Sequence, residues 1–145
     1  MRWASEPTCS ENGTDVTMAG KRQQRFVAVV DDDEAVRRAI RDLLKSNGFA
    51  ARGYSSAEQL LRSRQHISAG CLVLDMRLRG MSGLTLQRRL QAAGVVIPII
   101  YCTAESDPDG CMRRQLLQAG ARAVLYKPFD PERLLRLVED ALRAG

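Results

Sequence analysis

From residue 25 onward the chain alternates between short unbroken apolar runs and longer stretches with apolar residues at helical spacing. "FVAVV" (26–30) is continuous, as a strand buried on both faces requires. Residues 34–47 place Val36, Ile40, Leu43 and Leu44 on one helical face, and Gly48 ends that helix. "FAARGY" (49–54) predicts a weaker strand nearer an edge. Ser55 and Glu58 have capping-box spacing ahead of the helix in "AEQLLRS". "CLVLD" (71–75) predicts a third strand, and residues 83–93 a helix carrying Leu86 and Leu90 that Gly94 closes. "VIPIIYCT" (96–103) is the fourth strand. Asp107-Pro108 predicts an N-cap with proline at the first helical position, opening a helix to Gln118. "AVLY" (123–126) is the fifth strand, and Asp130-Pro131 repeats the cap before a helix with Leu134, Leu135, Val138 and Leu142 inward.

Five strands joined by helical crossovers imply a parallel sheet with helices on both faces, a doubly wound α/β domain. Residues 1–24 are polar, nearly without apolar content, and predict a disordered N-terminal arm. The expected organisation is therefore arm 1–24 and folded domain 25–145.

The 145 residues suit one domain with a real core. No apolar stretch approaches the roughly 18–20 residues of a membrane span, and the N-terminus has no apolar signal region. Cysteines stand at 9, 71, 102 and 111, without a C-x-x-C pair, so neither a zinc site nor a disulfide scaffold is indicated. Cys71 and Cys102 lie within apolar runs and are expected as buried thiols in a reducing, cytoplasmic setting. The net charge of +5 comes as dispersed arginine pairs, Arg37/Arg38, Arg88/Arg89 and Arg113/Arg114. These predict solvated helix faces rather than a nucleic-acid stripe. His66, in "RSRQHIS", is expected at the surface.

The chemistry gathers at the strand ends. In doubly wound sheets ligands bind beyond the carboxyl ends of the strands. Asp31 and Asp32 follow strand one, Asp75 follows strand three, Thr103 ends strand four and Lys127 follows strand five. If strands one and three are neighbours, three carboxylates converge. Without a cation some of them must hold protons; a hard divalent ion such as magnesium relieves this and leaves room for a phosphate oxygen. Lys127 offers charge and Thr103 a donor to a phosphoryl group, and Asp75 can take one as an acyl phosphate. Each residue also has a plain role: the aspartates as helix-start acids, Thr103 as a strand end, Lys127 as a solvated cation. Their coincidence at four strand ends favours the joint site.

From Arg25 to the end, the stretches "VVDDDEAVRRAIRDLL", "LVLDMRLRGMSGL", "PIIYCTAESD" and "GARAVLYKPF" resemble the receiver domain of two-component response regulators. The wording is nearest to receivers that precede a helix-turn-helix output domain. The resemblance implies a flavodoxin-like (βα)5 fold with strand order 2-1-3-4-5. It implies Asp75 as phospho-acceptor. Asp31, Asp32, Asp75 and the backbone carbonyl of Arg77 would be ligands of Mg2+ or Mn2+. Thr103 would be the switch hydroxyl, Lys127 the phosphate-pairing lysine before a cis proline, and Arg77 and Glu105 residues that tune the lifetime of the phosphoryl group. It makes the chain a signalling module, not an enzyme in its own right, fed by a sensor histidine kinase or phosphotransfer protein. Output would pass to a downstream protein or a further output domain, with homodimerisation through the face around helices four and five, and no direct contact with nucleic acid or membrane. Asp33 matches no family role and is expected to support the helix start.

Two departures stand out. Val124 occupies a position where an aromatic is usual, so the rotating-aromatic part of the switch is not expected. Arg79 replaces a usual proline, which predicts a differently shaped or more mobile loop. Two rival readings compete. Asp31-x-Asp33 resembles the motif of aspartate-dependent phosphatases, although the chain has no stretch for a cap. A phosphate-independent docking module would need none of the five site residues. The chain ends at Gly145, so it is expected either to act alone or to be a piece of a longer regulator.

Overall fold

Strand β1 (Phe26–Val30) is buried along its whole length. That is possible because its neighbours hydrogen-bond both edges: β2 (Ala51–Tyr54) on one side and β3 (Ala69–Leu74) on the other, all parallel. β4 (Ile99–Thr103) pairs with β3, and β5 (Ala123–Tyr126) with β4, giving the order 2-1-3-4-5. The computed structural model describes residues 25–104 and 106–144. The expected arm 1–24 and Glu105 lie outside the described residues.

Among the described residues five α-helices cover the sheet: α1 (Glu34–Ser46), α2 (Ala57–Ser63), α3 (Gly83–Ala92), α4 (Cys111–Gln118) and α5 (Pro131–Ala144). Alternation along the strands divides the interior into two cores. Ala28, Val30, Leu72, Leu74 and Tyr101 face the layer of α2, α3 and α4. Val27, Val29, Cys71, Val73 and Cys102 face α1 and α5, where they meet Ile40, Leu44, Leu134, Val138 and Ala141. Each fully buried aliphatic side chain contributes about 1.5–3 kcal/mol, so the two cores dominate over any single polar contact.

Four local expectations shift. The capping box at α2 is formed by Ser56, whose hydroxyl accepts from Gln59 N at 3.0 Å, rather than by Ser55 and Glu58; Gln59 Oε1 accepts from Ser55 N at 2.6 Å. The doublets Ser-Ser and Glu-Gln satisfy the same spacing twice, and Glu58 is engaged elsewhere. Helix α4 begins at Cys111, not beside Pro108, because Gly110 in the left-handed region (φ 70°) sets its start. Asp107 still caps it from outside, accepting from Met112 N at 3.1 Å and Arg113 N at 3.0 Å. β2 and β4 begin later than the apolar runs suggest, at Ala51 and Ile99. His66 is half-buried in a 3-10 turn (Gln65–Ile67) with Nδ1 enclosed, less open to water than the surface position expected.

Candidate functional site

The parallel register carries the ends of β1, β3, β4 and β5 to one rim. Val30 lies opposite Leu74, so the next residues, Asp31 and Asp75, emerge side by side. Asp31, Asp32 and Asp75 each offer a carboxylate oxygen within 4.8 Å of the others. All are hard oxygen donors, the set that suits magnesium or manganese.

Asp31 is buried, and a buried carboxylate needs compensation. Lys127 Nζ donates to Asp31 Oδ2 at 2.9 Å and to Asp75 Oδ2 at 3.3 Å. Asp33 N donates to Asp31 Oδ1 at 2.9 Å, and Arg77 N to Asp75 Oδ1 at 3.1 Å. Burial pushes the Asp75 carboxyl above the usual carboxylate range; the Arg77 N–H and then Lys127 pull it back, while Asp31 adds to the rise. Burial alone would lower the Lys127 amine, but its bonds to Asp31 and the charges of Asp31 and Asp75 outweigh this and raise it. The lysine therefore stays charged at neutral pH.

Lys127 is placed by the end of β5: its backbone N–H donates to the Thr103 carbonyl at 2.8 Å, and the Lys127–Pro128 peptide is cis. Thr103, the last residue of β4, is buried on the same rim. The structure thus brings together Asp31, Asp32, Asp75, Thr103 and Lys127. Asp33 stays apart from the cluster, its carboxylate accepting from Ala35 N and Val36 N as the α1 cap. That use of Asp33 removes the second acid a phosphatase motif would need.

Three residues at this rim escaped the sequence pattern or were read differently. Arg37, expected on a solvated face, is half-buried and donates to the Asp31 carbonyl at 2.8 Å. Its stem crosses Gly53, where an added Cβ would meet Arg37 Cγ at 3.1 Å; that glycine on β2 was the available signal. Glu58 reaches from α2 to Met81 N at 3.0 Å and holds the loop after β3; no local signal marks it. Arg79 lies with Nε 3.8 Å from Asp32 Oδ2, its side chain 96% exposed. Farther along the rim, Tyr126 donates to Asp107 Oδ2 at 2.7 Å. Val124 is buried in the core, and no aromatic stands in its place. Burial raises the Cys71 and Cys102 thiols to about 12, as suits inert core residues.

Comparison with known proteins agrees with this geometry. Residues 27–139 match the response regulator receiver domain family. The response regulator protein TmoT of Ectopseudomonas mendocina is 38% identical over 121 residues, covering 83% of this chain and 54% of its own. The transcriptional regulatory protein FixJ of Bradyrhizobium diazoefficiens is 33% identical over 117 residues, covering 81% of this chain and 56% of its own. Among solved structures, the crystal structure of FixJ-N superposes with a TM-score of 0.76 at 34% identity, covering 85% of this chain and 97% of that one. The response regulator StyR gives 0.75 at 42% identity, covering 83% and 60%. The chain belongs to the response regulator receiver family of two-component signalling, whose members are signalling modules switched by phosphorylation. It spans about half the length of the curated relatives it matches. No helix among the described residues is long and apolar enough to cross a membrane.

Proposed function

We propose that Asp75 is the phospho-acceptor of this receiver, with residues 25–145 as the functional unit, and that a sensor histidine kinase or phosphotransfer protein is the donor. The observation that carries the reading is the position of Asp75: one oxygen faces Lys127 at 3.3 Å, within a cluster of three carboxylates at the strand ends. Asp31, Asp32, Asp75 and the Arg77 carbonyl would hold Mg2+ or Mn2+. A bound divalent ion supplies positive charge to the cluster and to the oxygens of the phosphoryl group.

In the transfer, an Asp75 carboxylate oxygen forms a bond to phosphorus as the phosphorus–nitrogen bond of the donor phosphohistidine breaks, its electron pair returning to the imidazole. Lys127 holds a fixed charge beside the acceptor oxygen and needs no rearrangement to do so. Thr103 donates its hydroxyl to the new phosphoryl oxygen. In hydrolysis, a water oxygen attacks phosphorus and the Asp75 bond electrons return to the carboxylate, releasing inorganic phosphate. Arg77 and Glu105 set the rate of this step; single substitutions change the decay rate and leave phosphorylation intact.

The output surface is the side of β5 around Tyr126, where a cleft of about 350 Å³ is lined by Arg113, Tyr126, Phe129 and Arg133 among others. With Val124 in the core, the link from Thr103 to this cleft would run through Tyr126, its register partner on β5, which bonds Asp107, rather than through a rotating aromatic. By analogy with FixJ, named a transcriptional regulatory protein, the chain serves as the input part of such a regulator, through a linked or separate output protein or a homodimer, and acts in the cytoplasm.

The test is the intact mass after incubation with acetyl phosphate, with magnesium and with chelator. One added phosphoryl group that requires magnesium and is lost in Asp75→Asn is the expected result. Addition that persists in Asp75→Asn rules out Asp75 as the acceptor. A wild type left unmodified by acetyl phosphate and by kinase extracts favours docking without phosphate.

A further inference from the structure

The loop after β3 is held from two sides. Leu78 is buried in the core, and the Met81 N–H donates to Glu58 Oε2 at 3.0 Å. Gly80 between them has φ 78°, and an added Cβ would lie 2.6 Å from Glu58 Oε2, so the carboxylate closes against the bare backbone. Arg79 is therefore the outward residue of a loop fixed by its neighbours. Its guanidinium is fully in water, yet Nε stands 3.8 Å from Asp32 Oδ2, the most exposed carboxylate of the cluster, whereas the largely buried Lys127 holds Asp31 and Asp75.

The charges give this placement a consequence. Lys127 neutralises the inner oxygens of Asp31 and Asp75, while Asp32 faces the mouth with Arg79 as its cation. A divalent ion that takes Asp32 competes with Arg79 for that carboxylate. An incoming phosphoryl donor is itself an anion approaching an acidic mouth, and a displaced guanidinium at the rim is well shaped to meet it. An exposed pair is weak, which suits a group that must leave its partner easily.

We propose that Arg79 is a steering residue for phosphoryl transfer: it competes with the divalent ion for Asp32 and, once displaced, draws the anionic donor to Asp75, with Glu58 as the positioning residue that holds its loop. The proposal rests on the assignment of Asp75 as acceptor. With acetyl phosphate the step is balanced: the Asp75 oxygen bonds to phosphorus, the phosphorus–oxygen bond to the acetyl group breaks, and acetate leaves with the electron pair.

The test uses the full chain as wild type, Arg79→Ala, Arg79→Glu, Glu58→Gln and Glu58→Ala. Mn2+ affinity is read from the free-ion electron paramagnetic resonance signal, without any donor. Arg79→Ala should bind Mn2+ about two- to five-fold more tightly, the range an exposed pair supports, and Arg79→Glu more tightly still. Glu58→Gln, which keeps an acceptor for Met81, should match wild type, and Glu58→Ala should shift toward Arg79→Ala. The rate with acetyl phosphate at saturating Mn2+ should then fall about two- to five-fold in Arg79→Ala, with a flatter dependence on ionic strength. Arg79→Ala equal to wild type in Mn2+ affinity, or in rate and salt dependence, overturns the proposal. A wild type that binds Mn2+ but accepts no phosphoryl group from acetyl phosphate or from kinase extracts overturns instead the acceptor assignment beneath it.

Discussion

Asp75 sits where burial and a second carboxylate both favour its protonated form. Because its folded-state value is raised above the ordinary 3.8, the group favours folding below that value and loses this contribution as pH rises through the elevated one. Asp75→Asn should therefore stabilise the chelated protein at pH 7, with no gain below about pH 3.8. Urea midpoints across that range measure it; an equal gain at both ends contradicts the argument. Lys127 carries the same sign at a higher range: its contribution is complete below 10.5 and disappears only as pH rises through its elevated value. Lys127→Met, which leaves Asp31 buried without its partner, should cost about 3–5 kcal/mol at neutral pH. Both residues were legible in the sequence because each directly follows an apolar run. Arg37 and Glu58 were not: Arg37 folds back on the Asp31 carbonyl, six residues earlier, against the bare backbone of Gly53, and Glu58 accepts from the Met81 amide 23 residues on, and only the fold supplies those partners.

The start of α4 illustrates how element boundaries depend on the surroundings. Asp-Pro promises a helix at once, but Gly110 in the left-handed region delays it to Cys111. Asp107 then caps at a distance, with Tyr126 from β5 on the same carboxylate. The Tyr126 hydroxyl first, then the two amides, hold the Asp107 carboxyl below its ordinary value against the opposing effect of desolvation, so this cap is present at neutral pH and fails as pH falls through the lowered value. In Asp107→Ala the amides of Met112 and Arg113 should exchange hydrogen several-fold faster while those of β4 stay protected; Tyr126→Phe should show a smaller effect of the same pattern. Unchanged exchange at Met112 would mean that the cap contributes nothing. The strands, by contrast, were readable almost to the residue where both faces are buried, as in β1. They were overrun where the run begins outside the sheet: Val96 is 94% exposed although it continues the apolar run before β4.

For the whole molecule, the acidic rim links folding to cations. An ion that binds only the folded state adds about 1.4 kcal/mol at ten times its Kd, a rise of roughly 5 °C in melting midpoint for a domain of this size. Magnesium should produce that rise in wild type and little in Asp32→Asn; equal shifts in both would place the ion elsewhere. The alternation of strands and helices made the layer architecture legible. The strand order was legible only through family resemblance, because nothing local tells β1 to sit between β2 and β3. That order also has a consequence for synthesis on the ribosome. Asp31 and Asp75 come together as soon as β3 pairs with β1, but Lys127 follows 96 residues after the first and 52 after the second. A nascent chain stalled before β5 holds two opposed acids without their lysine. A divalent ion taken up as β3 emerges would supply their counter-charge until translation reaches the fifth strand.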